Sequence, residues 1–172
     1  KHIIKMILES AQMLCSAKRM LDGTEYYDKT KNGRKIKRWR LDNPNEEAII
    51  YKAGWAKHPS TQWVMKSAYN YRWLYLHMLA LNEEYKLRWQ KDKNHVAIDK
   101  LADLLKHPPK NAPLNVKGSD ATPAMPEHCK VPGDSVASYR KYYILEKRRF
   151  AKWDKPNAVM PEWYREGIEN GI

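Results

Sequence analysis

The chain has 172 residues, of which 42% are hydrophobic, and it carries a formal net charge of +12. This length and apolar content predict one folded domain over residues 1–172 and exclude an intrinsically disordered chain. No apolar run approaches the roughly 18 residues that a membrane-spanning helix needs, so we expect no membrane segment. The positive charge favours a polyanionic partner, and we expect DNA, most simply as a duplex.

The first predicted element is a helix over residues 1–21, which Asp22-Gly23 ends. Residues three, four and seven apart share a helix face, so His2, Lys5, Glu9 and Gln12 lie together. A carboxylate beside basic and amide groups suits a catalytic acid or base. Lys5 and Glu9 also have the four-residue spacing of an ordinary surface ion pair. From spacing alone, the ion pair is favoured over a catalytic role for Glu9.

Residues 24–41 are strongly basic. Seven of the twelve residues 29–40 are Lys or Arg, and Asn32-Gly33, a dipeptide typical of tight hairpin turns, lies among them. The pattern predicts a basic β-hairpin or ordered loop. Positive charge interleaved with an aromatic ring suits phosphates and exposed bases. The candidate nucleic-acid-binding residues here are Lys31, Arg34, Lys35, Lys37, Arg38, Trp39 and Arg40.

Two helices are predicted next. Asn43 and Pro44 begin a short helix that extends to about Trp55. The longest helix, over about 60–90, follows His58-Pro59. Because it is apolar on most sides, we expect it to be the central helix of a bundle.

An amphipathic helix over 95–106 precedes a proline-rich segment. Residues 107–133 contain six of the ten prolines, so they do not form a helix. Because the segment is not rich in Ser or Gly, we expect an ordered excursion or a lid instead of a flexible linker.

The C-terminal region again combines cations with aromatic rings. Asp134 caps a predicted helix to about Trp153, and Pro161 begins a last short helix. In any single helix of this kind, aromatic residues facing the core and basic residues facing solvent explain the pattern more simply. Basic character in two separate segments moves the balance towards nucleic acid. The candidate residues are Lys141, Arg148, Lys152, Trp163, Tyr164 and Arg165.

The fold is therefore predicted to be mainly α: a single-domain helical bundle around a long central helix, with the basic hairpin or loop and the proline-rich excursion. Cys15 and Cys129 lack zinc or redox spacing, so two buried thiols in a reducing compartment are favoured over one disulfide. The six histidines form no H-E-x-x-H motif, and no phosphate loop, dinucleotide fingerprint or G-x-S-x-G is present. We expect no metal and no cofactor.

Three stretches resemble a known family. His2-Ile3-Ile4-Lys5-Met6-Ile7-Leu8-Glu9-Ser10-Ala11-Gln12 is similar to H-L-M-A-E-Y-R-E-L-P-R of the phage pyrimidine-dimer DNA glycosylases of the endonuclease V type. Pro161-Glu162-Trp163-Tyr164-Arg165 resembles their DNA-proximal P-T-W-Y-K-Y-Y segment, and the helix after His58-Pro59 resembles their long helix. The pattern from Trp63 to Trp73 is most similar to related uncharacterised phage proteins. The resemblance covers about half of the chain.

The resemblance implies a DNA glycosylase with associated strand cleavage, acting in DNA repair in the host-cell cytoplasm without a metal. The family's catalytic glutamate falls on Glu9 and its histidine on His2. Its nucleophile is an α-amino group, which forms an imine with the sugar. Lys1 lies about 12 Å along the helix from Glu9, so the resemblance places that amine upstream of Lys1. Trp39 or Trp163 would fill the gap left by a flipped base.

Two alternatives remain open at the sequence level. Leu8 and Gln12 replace family arginines that accompany the glutamate, which favours a non-catalytic protein on the same scaffold that binds nucleic acid or a host factor. The third hypothesis is a base-modifying or nucleotide-processing enzyme that reuses the pocket.

Overall fold

The computed structural model describes residues 2–171, which form seven α-helices and one two-stranded antiparallel hairpin. This confirms the predicted mainly helical fold with one small β element. The helices are α1 (His2–Asp22), α2 (Pro44–Ile49), α3 (Pro59–Met65), α4 (Ala68–Trp89), α5 (Val96–Leu105), α6 (Ser135–Glu146) and α7 (Glu162–Glu169). The strands are β1 (Thr24–Lys29) and β2 (Lys35–Arg40), and a 3₁₀ turn covers Glu127–Cys129.

The main hydrophobic core lies where α1 packs against α3, α4 and α5. Ile7 and Leu14 of α1, Met78 of α4, and Leu101 and Leu105 of α5 are fully buried there. Ile7 and Leu14 are seven residues apart, and Leu101 and Leu105 are four apart, so each pair lies on one face of its helix. That face is the one that each helix turns towards the core. Within residues 2–171, no helix is both long and apolar enough to cross a membrane.

The basic segment forms a hairpin, as the sequence predicts. Thr24 pairs with Arg40 and Lys29 with Lys35, and residues 30–34 form the connecting turn. Gly33 adopts a φ of 72°, which a residue without a Cβ accepts readily and which explains the Asn-Gly signal.

The prediction of one continuous helix over 60–90 is wrong, because α3 ends at Met65 and α4 begins at Ala68. Ser67 between them is extended, with φ −157° and ψ 155°, and its hydroxyl accepts a hydrogen bond from the Asn70 N–H. The Ala68 N–H donates to the Pro113 carbonyl at 2.9 Å instead of to a helical partner. A buried cap and a tertiary partner thus stabilise the break.

The helices predicted over 43–55 and 134–153 are both shorter than expected. Helix α2 ends at Ile49 because Ile50 is extended, with φ −67° and ψ 130°, and the buried Arg19 guanidinium donates to the Glu47 and Ile50 carbonyls at this end. Helix α6 ends at Glu146, and the turn that follows places the Phe150 ring on His2, with their centroids 6.1 Å apart. Arg148 and Lys152 therefore lie beyond α6, and the prediction of a helix to about Trp153 is wrong.

The proline-rich segment is anchored at several points. The Asp22 carboxylate accepts from the backbone N–H groups of Lys110 and Asn111 at 2.9 and 3.0 Å. Farther along, the Ser119 N–H donates to Asn70 Oδ1 at 2.9 Å, and the Ser135 hydroxyl donates to the Ala121 carbonyl. The segment therefore connects α5 to α6 along the end of α1 and the α3–α4 break.

Candidate nucleic-acid interface

The hairpin separates its side chains onto two faces. Directly paired residues point to the same side, so Tyr27 and Lys37 share one face with Lys35, and Tyr26 and Arg38 share the other. We call the first the outer face; it carries Glu25, Tyr27, Lys29, Lys35, Lys37 and Trp39. Of these six residues, all except the half-buried Trp39 are exposed, whereas Tyr26, Asp28, Ile36 and Arg38 of the other face are half-buried.

The outer face and the turn together display uncompensated positive charge. Lys37 pairs with Glu25 at 2.9 Å, which raises the pKa of the lysine. Within residues 2–171, no carboxylate lies in ion-pair range of Lys29, Lys31, Arg34 or Lys35, and all four are exposed. We call these four residues the hairpin quartet; their charges are available to bind a polyanion.

An exposed aromatic ring lies in the middle of the outer face. Tyr27 is 58% exposed, and the Lys35 ammonium lies 3.9 Å from its ring centroid. Sequence reasoning does not select Tyr27, although its strand alternation with Lys29 and its pairing with Lys37 indicate the shared face. Trp39, which the sequence does select, is half-buried beside Glu25.

The remaining predicted hairpin residues have partners in the protein itself. Arg38 points towards the body and its guanidinium lies 3.5 Å from the Ala53 carbonyl oxygen. The Arg40 guanidinium is exposed over the Tyr26 ring, 4.8 Å from its centroid. Arg38 is therefore turned away from a partner, although its buried Nε has no hydrogen-bond partner within residues 2–171, and Arg40 lies at the edge of the hairpin.

A buried arginine fixes the base of the hairpin to the helices. Arg19 of α1 is 2% exposed, and its guanidinium donates to the carbonyls of Trp39, Glu47, Ile50 and Tyr51 and to the Glu47 carboxylate. These five bonds use every N–H of the guanidinium, as a buried cation requires. Sequence reasoning misses Arg19, although its spacing of four residues from Cys15 places it on the buried face of α1.

The second basic segment follows α6. Arg148 and Lys152 are exposed, whereas Lys141 is half-buried. Two other cations of this region lie over aromatic rings. The Lys147 ammonium is 4.8 Å from the Tyr142 ring centroid, and the Arg149 guanidinium is 4.4 Å from the Phe150 ring centroid. Part of the positive charge is thus already placed over aromatic rings within the protein.

The predicted residues of α7 separate into surface and core. Arg165 is exposed, and Trp163 is half-buried with the Arg140 guanidinium 5.6 Å from its ring centroid. Tyr164 is 1% exposed and packs against Trp153 at a centroid distance of 4.6 Å. A ring in that position does not stack on a base, so we place Tyr164 in the core and omit it from the interface.

His2 and Glu9 lie in different surroundings. Glu9 forms an ion pair with Lys5 at 3.3 Å, and its side chain is 41% exposed. His2 Nδ1 lies 2.9 Å from the Tyr143 hydroxyl of α6. Burial, followed by the charge of Lys147, lowers the pKa of His2, so its neutral form is favoured. The nucleophilic amine that the resemblance requires is expected upstream of Lys1, and Lys1 itself lies outside the described residues.

The two basic regions lie at opposite ends of α1. The hairpin follows its C-terminal residue Asp22, whereas α6 contacts its first residue, His2. A helix of 21 residues is about 30 Å long, which sets the separation of the two regions along its axis. The structure therefore does not bring the hairpin quartet and the segment after α6 into one compact site.

The two cysteines are free and buried, as expected. Burial raises the pKa of Cys15 to about 11, so this thiol is protonated at neutral pH and a poor nucleophile.

Comparison of the chain with protein-family models, curated proteins and solved structures finds no match. The resemblance to the dimer glycosylases therefore stays a prediction.

Proposed function

We propose that this protein binds duplex DNA through the outer face and turn of its β-hairpin. The observation that carries the proposal is the exposed quartet of Lys29, Lys31, Arg34 and Lys35, which has no carboxylate partner within residues 2–171. The overall charge of +12 acts in the same direction, since it attracts a polyanion from a distance.

The shape of the hairpin favours the DNA duplex among the nucleic acids. The major groove of B-form DNA admits a two-stranded β-ribbon, whereas that of A-form RNA is too deep and narrow. In this arrangement the quartet contacts phosphates on the groove walls, and the exposed Tyr27 ring faces the base edges. Arg19 supports this geometry because it holds the base of the ribbon rigidly.

The segment after α6 provides a second contact in the proposal. One turn of DNA spans about 34 Å, close to the length of α1 that separates the two regions. A duplex lying parallel to α1 would then meet the hairpin and, one turn away, the exposed Arg148 and Lys152. Trp163 and Arg165 belong to the same end of the molecule, since α7 packs on α6.

Binding to duplex DNA should weaken steeply with salt, because each phosphate contact releases counterions. Four contacts give a slope of log K against log salt of about −3.6, and any contacts after α6 make it steeper. Fluorescence anisotropy with a labelled duplex at several salt concentrations measures this slope, and an RNA duplex of the same sequence serves as the comparison. We expect weaker RNA binding. A flat salt response would contradict the nucleic-acid proposal.

Strand cleavage at an abasic or damaged site is the catalytic extension of this proposal. It rests on the resemblance and on the helix spacing, which puts His2 and Glu9 on one face of α1, about two turns apart. Borohydride should then trap a covalent complex between the full-length protein and abasic duplex DNA. Glu9→Gln should reduce trapping at least about 100-fold while leaving binding near normal, as expected for a lost acid–base group. Equal loss of both would make Glu9 structural, and no trapping by wild type removes the imine mechanism.

A further inference from the structure

Three side chains with metal-binding chemistry meet where the 3₁₀ turn touches the end of α6. His128 and Cys129 lie in the turn, and Glu146 is the last residue of α6. One donor atom from each (an imidazole nitrogen, a thiol sulfur and a carboxylate oxygen) lies within 4.8 Å of the other two. His128 Nε2 and Glu146 Oε1 are 2.8 Å apart. Cys129 is buried and the other two are exposed, so the cluster has a covered floor and an open side.

The three donors match the preferences of one class of ion. Zn²⁺ and similar borderline ions bind thiolate, imidazole and carboxylate with tetrahedral geometry and bonds of about 2.0–2.3 Å. Such bonds place neighbouring ligand atoms about 3.5 Å apart. The widest separation in the cluster therefore has to close by roughly 1 Å, and the His128–Glu146 contact has to open slightly. Both of these side chains are exposed and free to make that adjustment.

The backbone around the cluster is already held in place. The Ser138 hydroxyl of α6 accepts from the Val131 N–H at 2.8 Å, two residues after Cys129. Asp134 caps the start of α6 through the Ala137 N–H. These contacts fix the turn against the helix, so an ion would find its ligands preorganised.

The surrounding region also lacks an extensive apolar core. Within residues 2–171, the buried residues of the main hydrophobic core all belong to the part of the chain that ends at Leu105. Helix α6 buries Ser138 and Ile144, and α7 buries Tyr164 and Gly167. Few apolar contacts therefore hold the end of α6 against the 3₁₀ turn, and a bound ion would add to them.

We propose that His128, Cys129 and Glu146 bind one divalent transition-metal ion of the zinc class, with water in the fourth position. The ion fastens the end of α6 to the 3₁₀ turn and so fixes the point at which the basic segment after Glu146 leaves the helix. Sequence reasoning predicts no metal, because adjacent His and Cys residues with a distant Glu match no common zinc spacing. The hairpin quartet, which carries the DNA proposal, lies at the other end of α1, so either proposal can fail alone.

Titration of the full chain with Co²⁺, followed by displacement with Zn²⁺, tests the site. We expect one equivalent of Co²⁺ to give a near-ultraviolet thiolate-to-cobalt band with visible bands typical of four-coordination. Cys129→Ser should remove the near-ultraviolet band, and Cys15→Ala should retain it. Glu146→Gln should weaken Co²⁺ binding at least about 10-fold, since losing even an outer partner of a ligand costs about 10- to 100-fold. Zn²⁺ should raise the melting temperature of wild type more than that of Glu146→Gln.

The matched control is Glu127→Gln, one residue before His128. The Glu127 side chain is 86% exposed and pairs with Lys130, so its loss should leave Co²⁺ affinity unchanged. Absence of saturable Co²⁺ binding overturns the proposal, as does a band that survives Cys129→Ser. Should Cys129→Ser fail to fold, the two glutamine variants decide: equal affinity in both overturns the proposal, and selective weakening in Glu146→Gln supports it.

Discussion

Replacing Arg19 with methionine should lower the free energy of unfolding by about 3–5 kcal/mol, the usual cost of removing one partner from a buried ion pair. Methionine fills much of the same space but donates no hydrogen bonds. The carbonyls of Trp39, Ile50 and Tyr51 would lose the guanidinium donor, and the Glu47 carboxylate would keep the Leu41 N–H but lose its cation. Urea unfolding followed by circular dichroism measures the change.

The matched control is Arg88→Met. Arg88 also pairs with a glutamate, Glu84, but on the more accessible surface of α4, where such pairs contribute about 0.3–0.5 kcal/mol. We expect a loss below about 1 kcal/mol there. Similar losses in the two variants would mean that Arg19 contributes no more than a surface ion pair.

Acid pH provides a second readout of the Arg19 site. Burial alone would raise the pKa of Glu47, but the Leu41 N–H and the Arg19 guanidinium outweigh it and lower the pKa. A carboxylate with a lowered pKa stabilises the fold above its unfolded pKa of about 4.3 and loses that contribution as the pH falls through the folded value. Because Arg19→Met removes part of the lowering, the folded and unfolded pKa values of Glu47 lie closer together in the variant. The variant should therefore lose less stability than wild type as the pH falls below about 4.3, and the loss should end at a higher pH.

The helix starts were the most predictable part of the fold. Asn43 with Pro44, His58 with Pro59, and Asp134 all cap helices, because each side chain accepts a backbone N–H of the first turn. This chemistry is local, so a sequence motif suffices to predict it.

The helix ends depended on partners that are remote in sequence. Helix α2 stops where Arg19 takes its carbonyls, and the α3–α4 break is stabilised by the Pro113 carbonyl. Neither partner is visible in the hydrophobic periodicity of the segment itself. The same limit applies to the cluster of His128, Cys129 and Glu146, because Glu146 reaches His128 only when α6 packs on the 3₁₀ turn.

The candidate interface was predictable in outline but not in detail. Charge density and Asn32-Gly33 predict where the hairpin lies, but strand alternation decides which of its side chains face solvent. The alternation turns Arg38 towards the body of the protein and leaves Tyr27 exposed. Tyr164 shows the opposite error, since an aromatic residue next to an arginine in a short helix is as readily a core residue as a stacking platform.

Neutralising the hairpin quartet should reduce DNA affinity by about 1,000-fold at 0.1 M salt. The variant carries Lys29→Gln, Lys31→Gln, Arg34→Gln and Lys35→Gln, and its four lost phosphate contacts should make the salt slope shallower by about 3 to 4. Glutamine retains a long polar side chain, and the turn bonds between Thr30 and Arg34 use backbone atoms and the threonine hydroxyl. Fluorescence anisotropy over a salt series measures both quantities.

The control removes the same net charge elsewhere, from lysines that are exposed and lie outside both basic regions: Lys57→Gln, Lys93→Gln, Lys106→Gln and Lys110→Gln. Because these side chains contact no phosphate in the proposed complex, the long-range field should weaken slightly while the salt slope changes by less than about 1. Equal losses in the two quadruple variants would show that net charge alone attracts DNA. A large loss confined to the hairpin variant, with an unchanged circular dichroism spectrum, is what a β-ribbon seated in the groove requires.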